Sequence, residues 1–303
     1  MSPNHLAYLL TLLTLMLWGG SASAFKLALN TLTPSALLWI SCVISLAVMT
    51  LLLLLQGRLG QLRRIAARDW PRLLLLGAFN PFLYYVLLFE AYDRLPAQVA
   101  MSLNYLWPVM LALLSVPILG QRLGWSGLLP ILLSFAGAVV IATRGRLDGW
   151  QSVDGLGLVV ALASTLVWAG YWLYSTRLRH IDPALKLFMA FLIGTPLTLI
   201  YSLLQGNLQW PGSDYPWWPV LYVGLFEMGV TFFIWQLALS LADSAARIGN
   251  LIYLTPFLSL LILSRVTGET IHPATLWGLL LIVAGILLQQ YAGRRAPGGN
   301  TAP

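Results

Sequence analysis

Ten apolar segments follow one another through almost the whole chain, and each is long enough to cross a lipid bilayer. A transmembrane helix needs about 20 mainly apolar residues. The segments are 6–28, 34–55, 70–92, 97–117, 123–143, 154–176, 183–204, 217–240, 244–265 and 273–291. Because the bilayer core offers no water to the backbone, such segments fold as helices that satisfy their own hydrogen bonds. The sequence therefore predicts an all-α, polytopic membrane protein with ten transmembrane helices.

The composition excludes an ordinary soluble domain. Only 9% of the 303 residues are charged, whereas soluble domains have about 25%. The net charge of +7 includes a basic stretch over residues 58–72, which lies between two predicted spans. We interpret this stretch as an orientation signal beside anionic lipid headgroups, and we expect membrane lipid but no nucleic acid as a partner.

Basic residues are distributed unevenly between the two ends of the spans. If the N-terminus is cytoplasmic, twelve of the 17 Lys and Arg residues lie on the cytoplasmic side and five on the other. Lys and Arg accumulate in cytoplasmic loops. We therefore expect a multi-pass protein of the bacterial inner membrane with both termini in the cytoplasm.

The end of the first segment, LWGGSASAF at 17–25, contains the motif Ala22-Ser23-Ala24, which resembles a signal-peptidase site. Two observations favour a retained helix instead. The N-terminus lacks the basic region of a secretory signal, and the stretch at 17–20 has a counterpart, VWAG, at 167–170. A signal peptide cannot lie that deep in the chain.

The second half of the chain repeats the first at an offset of 147 to 150 residues. Trp18-Gly19-Gly20 aligns with Trp168-Ala169-Gly170, and Gly120 aligns with Gly268. Each repeat holds five spans, an odd number, so the second copy enters the membrane from the opposite side. We predict two inverted five-helix repeats at 1–148 and 149–293, followed by a disordered cytoplasmic tail at 294–303. Inverted repeats are typical of secondary transporters with a site near the membrane midplane.

These features resemble the EamA type of the drug/metabolite transporter superfamily. The resemblance is carried by the ten spans in two repeats, the Trp-Gly-Gly ending of the first span, and ILGQ (118–121) with its counterpart VTGE (266–269). Gln121 stands where many relatives have a glutamate. The Trp-rich first and sixth segments are most similar to those of the bacterial aromatic amino acid exporters. The resemblance implies export of a small metabolite.

Glu227 is the main candidate for chemistry inside the membrane. It lies near the middle of the span 217–240, which has no Lys or Arg, and a charge at the bilayer centre costs about 2.5–3.5 kcal/mol on insertion scales. Its repeat counterpart is Asn80, and helical spacing places Tyr84 beside Asn80 and Thr231 beside Glu227. Three roles remain open for Glu227: a neutral acid bonded to a neighbouring helix, a ligand for an amino group, or a proton-coupling carboxyl.

The fourth and ninth segments supply a second pair of polar faces. Gln98, Ser102 and Tyr105 share one helical side, and their counterparts are Ala246, Asn250 and Tyr253. Both segments carry a central proline, Pro108 and Pro256, which interrupts the helical hydrogen bonds four residues back. Because the two positions match, we predict paired hinges with unwound backbone available to a substrate.

Three tryptophans, Trp18, Trp107 and Trp168, lie toward the interior of their segments, away from the interfacial belt. Two interpretations stay open: the rings pack between helices, or they line an aromatic cavity that stacks against a planar substrate.

Motifs of enzymes and of ATP-driven pumps are missing. The single Cys42 and the three histidines make no metal site, and there is no Walker loop or nucleophile elbow. We therefore expect no enzymatic activity, no metal and no cofactor. A lipid-modifying enzyme would need an acid/base cluster near the headgroups, and a passive channel would not need matched proline hinges.

The resulting hypothesis is a secondary transporter that exports amino acids with aromatic or bulky apolar side chains by alternating access. The alternative is an exporter of drugs or nucleoside-like metabolites. Whether protons move with the substrate is left open. The predicted cavity is lined by Trp18, Asn80, Tyr84, Ser102, Tyr105, Trp107, Trp168, Glu227, Thr231, Asn250 and Tyr253, with Pro108 and Pro256 as hinges.

Overall fold

The computed structural model describes residues 2–120, 125–146, 154–208 and 217–295, and within these ranges every regular element is a helix. Gln121 and the end of the predicted tail lie outside the described residues. The last helix continues to Arg295, two residues into the segment that was predicted to be disordered.

Within the described ranges, ten main helices cross the molecule, and each coincides with one predicted segment. Nine of these described helices are long and apolar enough to span a membrane, and the apolar part of the tenth, Leu128–Ala142, is shorter. The helices are α1 (Pro3–Leu29), α2 (Pro34–Leu55), α3 (Ala67–Arg94), α4 (Ala97–Leu119), α5 (Trp125–Ala142), α6 (Gly155–Leu178), α7 (Pro183–Leu204), α8 (Trp218–Leu241), α9 (Arg247–Thr267) and α10 (Pro273–Arg295). The first helical piece of α9 begins two residues earlier, at Ala245.

The helix ends follow ordinary capping rules, and several caps match between the two halves. Thr33 caps α2 by accepting from the backbone N–H of Ala36 at 3.4 Å. Asp182 caps α7 by accepting from Ala184 at 2.9 Å. In both cases a proline follows the cap, where its missing N–H costs nothing.

Asp154 caps the start of α6 from the loop before it. Its Oδ1 accepts from the backbone N–H of Gly157 at 2.8 Å. This hydrogen bond, with a smaller contribution from the nearby Arg94 guanidinium, lowers the pKa of the Asp154 carboxyl. Asp154 is therefore ionised at neutral pH and stabilises the N-terminus of α6.

Two matched glycines end α4 and α9. Gly120 has φ +69° and Gly268 has φ +71°, the left-handed conformation that glycine adopts without steric penalty at a helix C-terminus. These positions belong to the ILGQ and VTGE motifs, so the glycine in each motif has a backbone role.

Within the described residues, five helices are interrupted along their length. The first helix, α1, is divided at Gly20 into the pieces Pro3–Gly19 and Ser21–Leu29. In α3 a wide turn over Ala78–Leu83 contains Asn80 in an extended conformation, and in α8 a wide turn over Val223–Val230 contains the non-helical Gly229. In α4 the helix breaks at Tyr105 and Leu106. In α9 a tight turn occupies Ile252–Leu254.

Each break in α4 and α9 lies just before the predicted proline. Pro108 and Pro256 occupy the first turn of the helical piece that follows. A proline is tolerated there because it needs no hydrogen-bonded N–H, whereas the chain before it must leave the helical conformation.

Contacts between the helices form a pattern that maps onto itself when the two halves are exchanged. The contact between α3 and α6 corresponds to the contact between α8 and α1. The contact between α4 and α6 corresponds to that between α9 and α1. The contact between α2 and α8 corresponds to that between α7 and α3. The pairs α2–α7 and α5–α10 each join two equivalent helices. Two groups of three helices, α1–α8–α9 and α6–α3–α4, therefore face each other.

The α5–α10 pair packs backbone against backbone at glycines. A Cβ built on Gly278 would lie 2.5 Å from the carbonyl oxygen of Gly137, and one built on Gly285 would lie 2.5 Å from that of Pro130. Helices in membranes use small residues in this way to approach closely.

We expect Gly278→Ala to force α5 and α10 apart. The added methyl meets backbone, which cannot move aside as a flexible side chain could, so we expect a loss of about 1–3 kcal/mol of stability. A lower Tm of the purified protein in detergent is the readout. Gly155→Ala is the matched control because nothing lies within 4 Å of its Cβ position; equal Tm values for the two variants would contradict the packing argument.

Candidate functional site

A large cavity of about 830 Å³ lies between the two groups of helices. Its walls come from α1, α3, α4, α6, α8, α9 and α10. Pockets for small organic molecules have volumes of about 300–1,000 Å³, so this cavity can hold a metabolite with a ring system.

The cavity reaches the surface at one face of the bundle. Its outermost lining residues include Leu119, Thr176 and Leu239 near the ends of α4, α6 and α8, and Gly249 near the start of α9. Since successive helices run in opposite directions, these ends lie at the same face, where α1 begins and α10 ends. The cavity therefore opens toward the face that carries both chain termini.

The opposite end of the cavity is closed by buried side chains. Phe25, Tyr85, Leu88 and Tyr92 line it there, and each is at most 3% exposed. Phe25 packs edge-to-face against Tyr92 with ring centroids 5.1 Å apart. A solute that enters from the open face meets a blind aromatic end.

Glu227 lies on the wall with hydroxyl groups from the first half of the chain around it. Its Oε2 accepts from Ser21 Oγ at 2.5 Å, and its Oε1 accepts from Tyr85 Oη at 3.2 Å. Its backbone carbonyl accepts from the Trp18 indole at 3.4 Å. A carboxylate oxygen has two lone pairs, so each oxygen retains an acceptor position for a ligand.

Aromatic rings form much of the remaining wall. Trp168 stacks on Tyr84 with centroids 4.5 Å apart and an interplanar angle of 29°. On the other side, Trp18 makes an edge contact with Phe232 at 5.3 Å and packs near Trp235 at 6.0 Å. Trp18 and Trp168 therefore pack against neighbouring rings and also line the cavity.

Some neutral polar groups of the wall are bonded to one another. Tyr84 Oη donates to Asn104 Oδ1 at 3.3 Å, and Asn104 Nδ2 donates to Ser164 Oγ at 3.4 Å. Toward the open face, Gln290 Nε2 donates to Tyr253 Oη at 2.7 Å. These bonds fix the orientation of the side chains that make them.

Eight of the eleven predicted cavity residues are brought together on this wall. They are Trp18, Tyr84, Tyr105, Trp107, Trp168, Glu227, Asn250 and Tyr253.

Asn80, Ser102 and Thr231 do not line the cavity, which corrects their placement. Helical spacing assumed regular turns through Asn80 and before Thr231, but the wide turns of α3 and α8 rotate the faces that follow them. Ser102 is fully buried, and the cavity face of α4 is instead formed by Met101, Asn104 and Tyr105.

Several lining residues were not predicted. Ser21 lies three residues after Trp18 on the same side of α1, a spacing that could have revealed it. Tyr85 adjoins the predicted Tyr84, and no sequence pattern indicates which of the two rings reaches Glu227. Further unpredicted lining residues are Phe25, Tyr92, Asn104, Phe232, Trp235 and Gln290.

Gln98 makes a hydrogen-bonded closure beyond the blind end of the cavity. Its Nε2 donates to Glu269 Oε1 at 2.8 Å and to the carbonyl of Thr270 at 3.0 Å. Its Oε1 accepts from the N–H of His272 at 2.9 Å and from Thr275 Oγ1 at 2.7 Å. The start of α4 is thereby tied to the connection between α9 and α10.

Two further contacts join helices at the same closed face. Arg94 bonds to Glu90 at 2.6 Å and lies 3.5 Å from Asp154 at the start of α6. Lys26 Nζ donates to the carbonyl of Tyr92 at 3.5 Å. Among the described residues, no group of three or more His, Cys, Asp or Glu side chains is arranged to hold a metal ion.

Comparison with known proteins agrees with the geometry. The chain is 26% identical over 234 residues to the aromatic amino acid exporter YddG of Ancylobacter novellus, covering 76% of this chain and 79% of that protein. It is 28% identical over 293 residues to a probable terminal-alkyne amino-acid exporter of Streptantibioticus cattleyicolor, covering 93% of each. A solved crystal structure superimposes with a TM-score of 0.66 at 25% identity, over 96% of this chain and 99% of the other.

The profile of the EamA-like transporter family matches the chain twice, over residues 5–143 and 155–289. The two matches correspond to the two halves whose helix contacts exchange with each other. The family and the names of these relatives indicate a multi-pass membrane transporter and not an enzyme. The chain belongs to the EamA-like transporter family.

Proposed function

We propose that the protein is a secondary transporter of the bacterial inner membrane that exports amino acids with aromatic or bulky apolar side chains. The observation that carries this proposal is the cavity, which is walled by aromatic rings, blind at one end and furnished there with one carboxylate, Glu227. Rings suit a flat apolar side chain, and the carboxylate suits an ammonium group.

The names of the relatives support the amino-acid assignment. One is called an aromatic amino acid exporter and another a probable amino-acid exporter. Drugs or nucleoside-like metabolites are the alternative cargo, because the same aromatic walls would accept them.

Alternating access would proceed by rocking the group α1–α8–α9 against the group α6–α3–α4. The breaks in α3, α4, α8 and α9 all adjoin the cavity, since Tyr84, Tyr105, Glu227 and Tyr253 lie within or next to them. In this mechanism Pro108 and Pro256 mark paired hinges, and the repeats at 1–148 and 149–293 are the inverted units that exchange roles.

With both termini in the cytoplasm, the described conformation is open to the cytoplasm and closed toward the outside. The closure at Gln98 has no equivalent bonds available at the other face, because the repeat counterpart of Gln98 is Ala246. An inward-open resting state suits an exporter, which loads its substrate from the cytoplasm.

Glu227 acts as a substrate ligand in this proposal. Its position on the wall and its remaining acceptor positions favour this role over purely structural bonding between helices. A proton-coupling role is compatible with the same position, since a bound ammonium group and a proton would compete for the same oxygens.

The proposal predicts saturable counterflow in proteoliposomes. Labelled Phe or Trp should exchange against unlabelled Phe or Trp on the other side of the membrane, whereas Thr should compete weakly because it cannot fill the aromatic walls. A cationic dye that exchanges while the amino acids do not would support the drug-exporter alternative. Flux that rises linearly with concentration would indicate a pore.

We expect Trp168→Leu to weaken binding of Phe and Trp by about two- to tenfold, since stacked aromatic contact beyond simple burial contributes about 0.5–1.5 kcal/mol. The half-saturating concentration in counterflow measures this. Trp277→Leu in α10 is the matched control, because Trp277 is 66% exposed on the outer surface of the bundle. An equal effect of both substitutions would contradict a role of Trp168 in substrate binding.

Loss of the closure at Gln98 is expected to shift the population toward the outward-open state. In a Gln98→Ala variant, a cysteine placed at the cavity residue Ala22 should react several-fold faster with an impermeant thiol reagent added from outside. Gln56→Ala is the control, since Gln56 is an exposed glutamine in the loop after α2. Unchanged labelling in the Gln98→Ala variant would mean that these bonds do not hold the outer end shut.

A further inference from the structure

The cavity wall has an acidic side chain and, among its described residues, no basic one. Among the described lining residues, Glu227 is the one acidic side chain, and there is no Lys, Arg or His. A free amino acid brings two charges into such a site, an ammonium group and a carboxylate. Only the ammonium group finds a counterion there.

Three basic side chains near the site make contacts away from the cavity wall. Lys26, four residues beyond the lining residue Ala22, donates to the backbone carbonyl of Tyr92. Arg177, next to the lining residue Thr176, lies over the ring of Tyr174 at 5.2 Å. Lys186 donates to the carbonyl of Ser175 at 3.2 Å.

Four neutral donors near Glu227 are already used in hydrogen bonds within the protein. The hydroxyl hydrogens of Ser21 and Tyr85 are donated to Glu227 itself, and the indole N–H of Trp18 is donated to its backbone carbonyl. The Tyr84 hydroxyl donates to Asn104. A substrate carboxylate held near these groups would lose water without gaining a cation or a ready set of donors, which is unfavourable.

We propose that the cavity selects primary aromatic amines, and that a free carboxylate on the same molecule weakens binding. The class includes aromatic monoamines and amino acids whose carboxyl is removed or masked as an amide or ester. This inference goes beyond the proposed function, because it keeps the same transport site and names a substrate class without a free carboxylate. Glu227 binds the ammonium group, and the stacked rings of Trp168 and Tyr84 contact the aromatic group.

Isothermal titration calorimetry tests the preference for amines. Ligand binding is measured on the purified full-length protein in detergent at neutral pH. Two matched pairs are compared, Phe with phenethylamine and Trp with tryptamine; phenylpropionate serves as the acid without an amine. We expect each amine to bind at least about tenfold more tightly than its amino acid. Phenylpropionate should not bind measurably.

The variant Glu227→Gln should weaken binding of every ligand that carries an ammonium group, because the amide has no net charge to attract that group. We expect the Kd of phenethylamine to rise by about tenfold or more, while the difference within each pair remains, because the cavity still offers no cation to a carboxylate. Glu90→Gln is the matched control: Glu90 lies in α3, pairs with Arg94 and is not part of the cavity wall. If Glu227→Gln does not fold, the comparison of the two pairs on the unmodified protein still tests whether a free carboxylate weakens binding.

The outcomes separate this inference from the proposed function. If Phe and Trp bind as tightly as their amines, or if phenylpropionate binds as tightly as phenethylamine, the inference is overturned while amino-acid transport stands. If the amines bind and the amino acids neither bind nor exchange, the inference holds and amino-acid export fails. If no aromatic amine binds, the inference is overturned, and absence of counterflow with Phe and Trp would overturn the proposed function as well.

Discussion

The requirement that every backbone polar group be satisfied inside a bilayer governs this architecture. Regular helices meet it with their own hydrogen bonds, and irregular backbone at membrane depth is tolerated only where protein or a water-filled space surrounds it. In this chain the breaks of α3, α4, α8 and α9 all adjoin the central cavity. The cavity and the broken helices therefore depend on each other, since the cavity provides the surroundings in which the breaks can exist.

The fold was accessible from the sequence because it depends on length and polarity, which are local properties. Ten apolar runs correspond to ten helices, and the prolines at 108 and 256 mark where two of them break. The wide turns could not be predicted from the sequence. One extra residue per turn at Asn80 or Gly229 depends on how the neighbouring helices pack, and helical spacing carried through such a turn puts Asn80 and Thr231 on the wrong face.

The site could be predicted only in part from the sequence, for a related reason. Glu227 stood out because a carboxyl at membrane depth is costly, and Trp18 and Trp168 stood out because they match between the repeats. Their partners depend on contacts between residues about 140 to 210 positions apart, such as Tyr85 with Glu227 and Ser21 with Glu227. Gln98 illustrates the same limit: it was predicted on the polar face with Tyr105, yet its amide is occupied by the α9–α10 connection.

The hydrogen bonds of Gln98 have a kinetic consequence for a duplicated carrier. In the proposed alternating-access mechanism, hydrogen bonds at one end and an alanine at the equivalent position of the other end would make the two conformations of the empty protein unequal in free energy. Such an inequality lengthens the waiting time on one side and shortens it on the other. It does not determine the direction of net transport, which depends on the gradients across the membrane. The hydrogen bonds of Gln98 would therefore affect the rate at which substrate is bound.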